Sequence, residues 1–192
     1  MKSVLILLLA AAPLAPLHGQ IVGAPPLPGG APASEASLVV VRPADAGSFD
    51  LGFAAGFRRT GRVGLAARLA HTGGRGHQSS ATLGAFGALP ELAGVRAAFS
   101  AGLGVDTGKR GVFLPFGIDL ARSYAPGGRE TTPFLHLGAS LDGMRPFGGH
   151  AGDLVPVAEA GADVRVGARW SVRAGLGTKD GGRLAIGMAY GR

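Results

Sequence analysis

Five titratable residues interrupt otherwise apolar, alternating stretches of this sequence: Arg68, Asp119, His136, Glu159 and Arg173. Asp163 and Arg165 extend the set. Charges in such surroundings must be paired or hydrated, because an isolated buried charge is costly. One use for them is a salt-bridge network that fills an interior. Another is a gated path or a site for a small ion. A third is hydrolysis, with serine as nucleophile and histidine as base. His136 and Ser140 share a strand face but stand four residues apart, about 13 Å, which exceeds hydrogen-bond reach. Ser100 and Ser171 are the serines that could face His136 across an interior, and the chain has no GxSxG. Its glycine-rich stretches lack the strand–loop–helix setting of a phosphate site. His71, His77 and His150 fall in or beside loops, with no HxH or HxxxH spacing and no cysteine, so no metal site is expected. The residues point to a protein that is not an enzyme and carries no cofactor.

The elements that must position these residues are strands. In VRAAFSAGLGVD (95–106), Val95, Ala97, Phe99, Ala101, Leu103 and Val105 form one apolar row, and Arg96, Ala98, Ser100, Gly102, Gly104 and Asp106 form a small or charged row. Strict alternation places the two rows on opposite strand faces. The same test predicts ten strands, at 37–42, 48–58, 62–71, 80–89, 95–105, 112–122, 131–141, 155–166, 170–178 and 183–190. Merging neighbours would give eight. RTG (59–61), PELAG (90–94) and GAR (167–169) read as tight turns. TGGRGHQSS (72–80), TGKRG (107–111) and DGMRPFGGHAGDL (142–154) read as longer polar loops. Two connections break that rhythm: 123–130 is long and 179–182 is short.

A soluble sandwich would also alternate, but its outer face should carry abundant Lys, Glu, Thr and Ser. Here the second row is mostly Gly and Ala with single charges in mid-strand. That row suits a narrow barrel lumen, and the apolar row suits lipid. Phe116→Arg is therefore expected to damage folding, with Gly117→Ser milder. The aromatic residues Phe57, Tyr124, Trp170 and Tyr190 fall at the short-turn end and Phe49 at the other. Phe49 and Phe57 are about 26 Å apart along a strand, which fits the girdles of an apolar band of about 25 Å.

The 192 residues include 35 glycines, only 16% charged residues, and a formal charge of +7. The basic excess is scattered and lacks a nucleic-acid motif, so no nucleic-acid partner is expected. MKSVLILLLAAAPLAPLHGQ has the plan of a secretory signal peptide, a basic residue followed by an apolar run too short to span a bilayer. The expected divisions are a signal peptide at 1–19, a Pro/Gly/Ala-rich lead-in at 20–36 and a β-barrel domain at 37–192.

With its signal peptide, its glycine-rich alternating strands and the closing stretch WSVRAGLGTKDGGRLAIGMAYGR, the chain resembles the small outer-membrane β-barrels of Gram-negative bacteria, the OmpA-like and OmpW-like group. The resemblance is one of pattern over most of 37–192. It implies an all-β, antiparallel, up-and-down transmembrane barrel of 8–10 strands, ten favoured, in the outer membrane, with a structural or narrow-channel role. It further implies outer-membrane lipid, lipopolysaccharide and the barrel-assembly machinery as partners. Such proteins usually end on an aromatic residue that the machinery reads, whereas this sequence reads Tyr190, Gly191, Arg192. Two alternatives come from other classes: a secreted soluble barrel that binds an apolar ligand, and a membrane hydrolase acting on lipid.

Overall fold

Alternating rows bury only one face, so isolated strands of this kind must find partners on both edges or leave backbone groups unpaired. The computed structural model describes residues 34–43, 52–59, 63–72, 78–107, 111–144, 152–178 and 183–191. They form ten strands: β1 (Ser34–Pro43), β2 (Gly52–Arg59), β3 (Val63–Thr72), β4 (Gln78–Leu92), β5 (Val95–Asp106), β6 (Gly111–Ala121), β7 (Thr131–Met144), β8 (Asp153–Arg165), β9 (Trp170–Gly177) and β10 (Arg183–Gly191). Each pairs antiparallel with its sequence neighbour, and β1 pairs with β10, so the sheet closes into a barrel. The ten-strand partition holds and the eight-strand one does not. β1 starts at Ser34, three residues inside the expected lead-in, because Glu35 and Ala36 pair with Gly191 and Tyr190.

Following the register once round the barrel advances the chain by about 12 residues, the stagger of strands tilted by roughly 40°. On β5, β6, β7, β9 and β10 the predicted faces are the observed ones. Leu103, Val105, Ile118, Leu137, Val172, Leu176, Leu184, Ile186 and Met188 are all exposed. The core lies on the other row, inside the barrel, and includes Phe86, Ala98, Phe113, Ala121, Phe134, Val157, Ala185 and Ala189.

Several strands run further than their sequence punctuation implies. β4 continues through Pro90 and Glu91 to Leu92, with a register shift between Leu89 and Leu92. That leaves Ala93 and Gly94 as the whole turn into β5, both with positive φ (52° and 76°). Two positive φ angles define the primed turn that matches strand twist, and its first position prefers Asn or Gly to Ala. Ala93→Asn should therefore raise stability by up to about 1 kcal/mol, read as a shift in the urea midpoint; a loss would mean the alanine makes a contact that outweighs its strain. The connection after β6 is shorter in effect than it looks. Tyr124 and Thr131 exchange two backbone hydrogen bonds, of 3.0 and 2.7 Å, and extend the β6–β7 ladder before a short 3₁₀ turn at Pro126–Gly128.

Candidate functional site

The interior of the barrel is the candidate site, and cross-strand register assembles it. Asp119 on β6 lies opposite His136 on β7, which lies opposite Glu159 on β8, which lies opposite Gly177 on β9. Three titratable side chains thus form a belt on three adjacent strands, all on the inward row. His136 Nδ1 donates to Asp119 Oδ1 at 2.6 Å. Asp119 is 1% exposed, and its Oδ2 has no hydrogen-bond partner among the described residues. Arg68 stands on β3, across the ring of strands from β8, and interacts electrostatically with Glu159, Asp119 and Arg173. The charge of Arg68 thus acts on the belt from the opposite wall. Asp163 on β8 and Arg173 on β9 are direct cross-strand partners. Arg173 grips Asp163 with two hydrogen bonds, Nε to Oδ1 at 2.6 Å and Nη2 to Oδ2 at 2.8 Å, and both residues are buried. A two-pronged guanidinium–carboxylate pair fixes geometry as well as charge.

Arg165, the other expected extension of this set, points to the rim, where Nη1 donates to Glu130 Oε2 at 2.7 Å with both side chains largely exposed. Arg96 donates to Ser123 Oγ, which in turn lies 2.7 Å from Thr132 Oγ1.

Three phenylalanines fill the space that the charges leave. Phe86 lies opposite Gly64, Phe113 opposite Gly104, and Phe134 opposite Gly161, each a direct cross-strand pair on the inward row. A Cβ on any of these glycines would fall 2.0–2.4 Å from the facing ring. Each ring thus lies flat over a bare backbone, and Phe113 is 0% exposed. At these three positions the inward glycines make room for phenylalanine. A signal for this existed, since Phe113 and Phe134 both sit in the small row of their strands.

Gly117 is also a point of close approach. A Cβ there would stand 2.7 Å from the Leu137 carbonyl oxygen and 2.6 Å from His136 Cε1. Gly117→Ser, expected to be milder than Phe116→Arg, therefore carries a cost of its own: the serine would press on backbone and on the histidine that serves Asp119.

Asp142 is another correction. Sequence punctuation assigned it to the loop 142–154. The structure puts it on β7, buried, accepting from Ser140 Oγ at 2.5 Å. Ser140 is thereby bound to an aspartate on its own strand, and neither Ser140 nor His136 serves the other. His71, expected in or beside a loop, stands on β3 opposite Ser79 of β4, with Nδ1 3.0 Å from Ser79 Oγ on the exposed outer face. Beside it an apolar groove of about 540 Å³ runs over Leu38, Leu69, Ala81 and Val105. Among the described residues no group of three or more His, Asp or Glu is arranged to hold a metal ion.

The aromatic set divides. Trp170 and Tyr190 are cross-strand partners on the outer face with ring centroids 4.9 Å apart, and Arg169 Nη1 donates to the Tyr190 hydroxyl at 3.0 Å. Tyr124 is exposed at the same end. Phe57 lies on β2, but its side chain, like all of Phe49, lies outside the described residues.

No protein-family model matches the chain, and no curated protein matches it. Solved structures to which it is similar include the N-terminal β-barrel domain of Pseudomonas aeruginosa OprF (14% identity, 83% of this chain and 98% of that one, TM-score 0.39). Others are the β domain of the Bordetella autotransporter BrkA (12% identity, 84% and 100%, TM-score 0.47) and the KdgM porin (7% identity, 82% and 99%, TM-score 0.47). At these levels the architecture rests on the chain's own register.

Proposed function

We propose that this protein is an integral outer-membrane β-barrel of a Gram-negative bacterium, with a structural or narrow-channel role and a lumen closed by charge pairs and aromatic rings. The observation that carries this reading is the division between the two faces. The outer row is exposed and apolar on strand after strand, with Leu83, Val63 and Leu92 each more than two-thirds exposed. The inner row holds the buried charges Asp119, Asp142, Glu159, Asp163 and Arg173. In water that arrangement would be inverted. In a bilayer it is the required one, because closure satisfies every strand edge and the outer band meets hydrocarbon.

A barrel of about ten strands has an interior that side chains can largely fill. The inward rings of Phe86, Phe113 and Phe134 and the buried Asp163–Arg173 pair support such a filling here. Any ion that passes meets more arginine than carboxylate at the short-turn end, and such a path favours anions.

One preparation tests both halves of the proposal. After expression with its leader, the chain should stay with outer membranes through an alkaline wash and require detergent for release. Reconstituted in a planar bilayer, it should give either no current or a small anion-preferring one. Recovery as a detergent-free soluble protein would remove the membrane role. A large cation-selective current would remove the closed lumen.

A further inference from the structure

The two ends of the barrel differ in charge. Arg58 and Arg59 close β2, Arg96 stands at the start of β5, and Arg122 and Arg129 lie in the connection after β6. Arg165 closes β8 and Arg169 directly precedes β9. The up-and-down order puts all seven at the end that also holds Ser34 and Gly191. The acids at that end, among the described residues, are Glu35, Glu91 and Glu130, and Glu130 is already paired with Arg165. At the opposite end the described strand ends mix the two signs, with Asp106 and Asp153 beside Arg42 and Arg183. Arg122, Arg129, Arg165 and Arg169 are exposed. They sit level with Tyr124 and with the tilted Trp170–Tyr190 ring pair, which Arg169 joins by a hydrogen bond.

We propose that this short-turn end is a docking surface for anionic phospholipid headgroups. The inference rests on the membrane-barrel reading above and adds which lipid the barrel selects and at which end. Guanidinium groups match phosphate oxygens two at a time. Basic residues at an anionic membrane surface each add attraction that salt screens. Trp and Tyr favour the depth at which hydrocarbon gives way to headgroups. Position decides between a leaflet and a compact acidic partner. Arg122 and Arg129 in the β6–β7 connection and Arg169 before β9 are exposed beside the exposed rings of Tyr124, Trp170 and Tyr190, at the edge of the outward apolar band. Arg96 and Arg165 stand on the inward row and are held by Ser123 and Glu130. A cation at the edge of a lipid-facing band meets headgroups first, whereas an acidic protein would have to enter between the rim and the leaflet.

Trp170 is the sole tryptophan of the chain, and it stands beside Arg169, so it reports on this site directly. The full chain is refolded into vesicles that mix phosphatidylcholine with phosphatidylglycerol, with bromine on the acyl chains of one lipid or the other. Brominated phosphatidylglycerol should quench Trp170 at least about twofold more than the same fraction of brominated phosphatidylcholine, and salt of about 0.5 M should abolish the preference. Arg122→Gln with Arg129→Gln should reduce the ratio while leaving the Trp170–Tyr190 pair in place, and adding Arg169→Gln should bring it close to one. The salt arm uses the unmodified chain, so the test stands even where a variant fails to fold. Equal quenching by both lipids overturns the proposal, as does a preference that high salt leaves intact. An acidic polypeptide that shifts Trp170 emission in detergent while the vesicles show no lipid preference also overturns it, in favour of a protein partner. Absence of quenching by either lipid overturns the membrane-barrel reading itself.

Discussion

Asp163→Ala should destabilise the barrel by about 3–5 kcal/mol, the range for removing one partner of a buried ion pair. The change leaves the Arg173 guanidinium, 4% exposed, without the carboxylate that takes two of its hydrogen bonds. It also leaves Arg173 facing Arg68, with Glu159 and Asp119 as the remaining countercharges. Replacing both members, Asp163→Ala with Arg173→Met, should recover a large part of the loss, because an apolar pair of similar volume does not strand a charge. The urea midpoint of the refolded chain, followed by Trp170 fluorescence and by the mobility of unheated samples in a gel, measures both. A single-variant loss below about 1 kcal/mol, the range of a solvated surface pair, would mean that water reaches this part of the lumen freely.

Phe116→Arg should cost about 2–4 kcal/mol when the chain folds into a bilayer, the range for arginine near the midplane of a lipid-facing surface. Phe116 lies on the outer row of β6 between Leu114 and Ile118, opposite Ala101 of β5 and Ala139 of β7. Phe116→Leu, which keeps an apolar group of nearly the same size, should cost under about 1.5 kcal/mol. Folding yield into vesicles, scored by protection from added protease, distinguishes the two. If the arginine variant folds as well as the leucine variant, this face does not meet hydrocarbon. The neighbouring Gly117 is unsuitable as a silent comparison, because any side chain there meets the Leu137 carbonyl and His136.

The strands and their faces were legible in the sequence because alternation is local. A period of two is visible in any window of six residues, and it gave the orientation of β5, β6, β7, β9 and β10 directly. The inward placement of Asp119, His136, Glu159 and Arg173 follows from the same parity. What parity could not give is the partner of each. Arg68 reaches charges on the far side of the ring, and that reach depends on the stagger of the whole barrel, a sum over ten registers with no local trace. The Phe86–Gly64, Phe113–Gly104 and Phe134–Gly161 pairs had a partial trace, since a phenylalanine in a row of glycines is conspicuous, but choosing its glycine again needs the register. Asp142 was misplaced because Gly143 follows it and glycine reads as the start of a loop; here Gly143 has a positive φ (77°) and the strand continues through it to Met144. Pro90 misled in the same way. A proline costs a strand one donor, which ends most strands, but the register shift beside Pro90 absorbs that loss.

The pairing of β1 with β10 sets the order of events when this chain acquires its structure. Every other ladder joins neighbours in sequence and can form locally, but Leu38 waits for Met188 and Val40 for Ile186. Until then β1 and β10 are raw edges with apolar residues on one side, a state prone to associate with other strands. Contacts between such distant segments are also the slowest to form. The seam is thus the commitment step: before it the polypeptide is an adhesive ribbon, and after it no edge remains open. The interval between the two is when this protein most needs protection from its own copies.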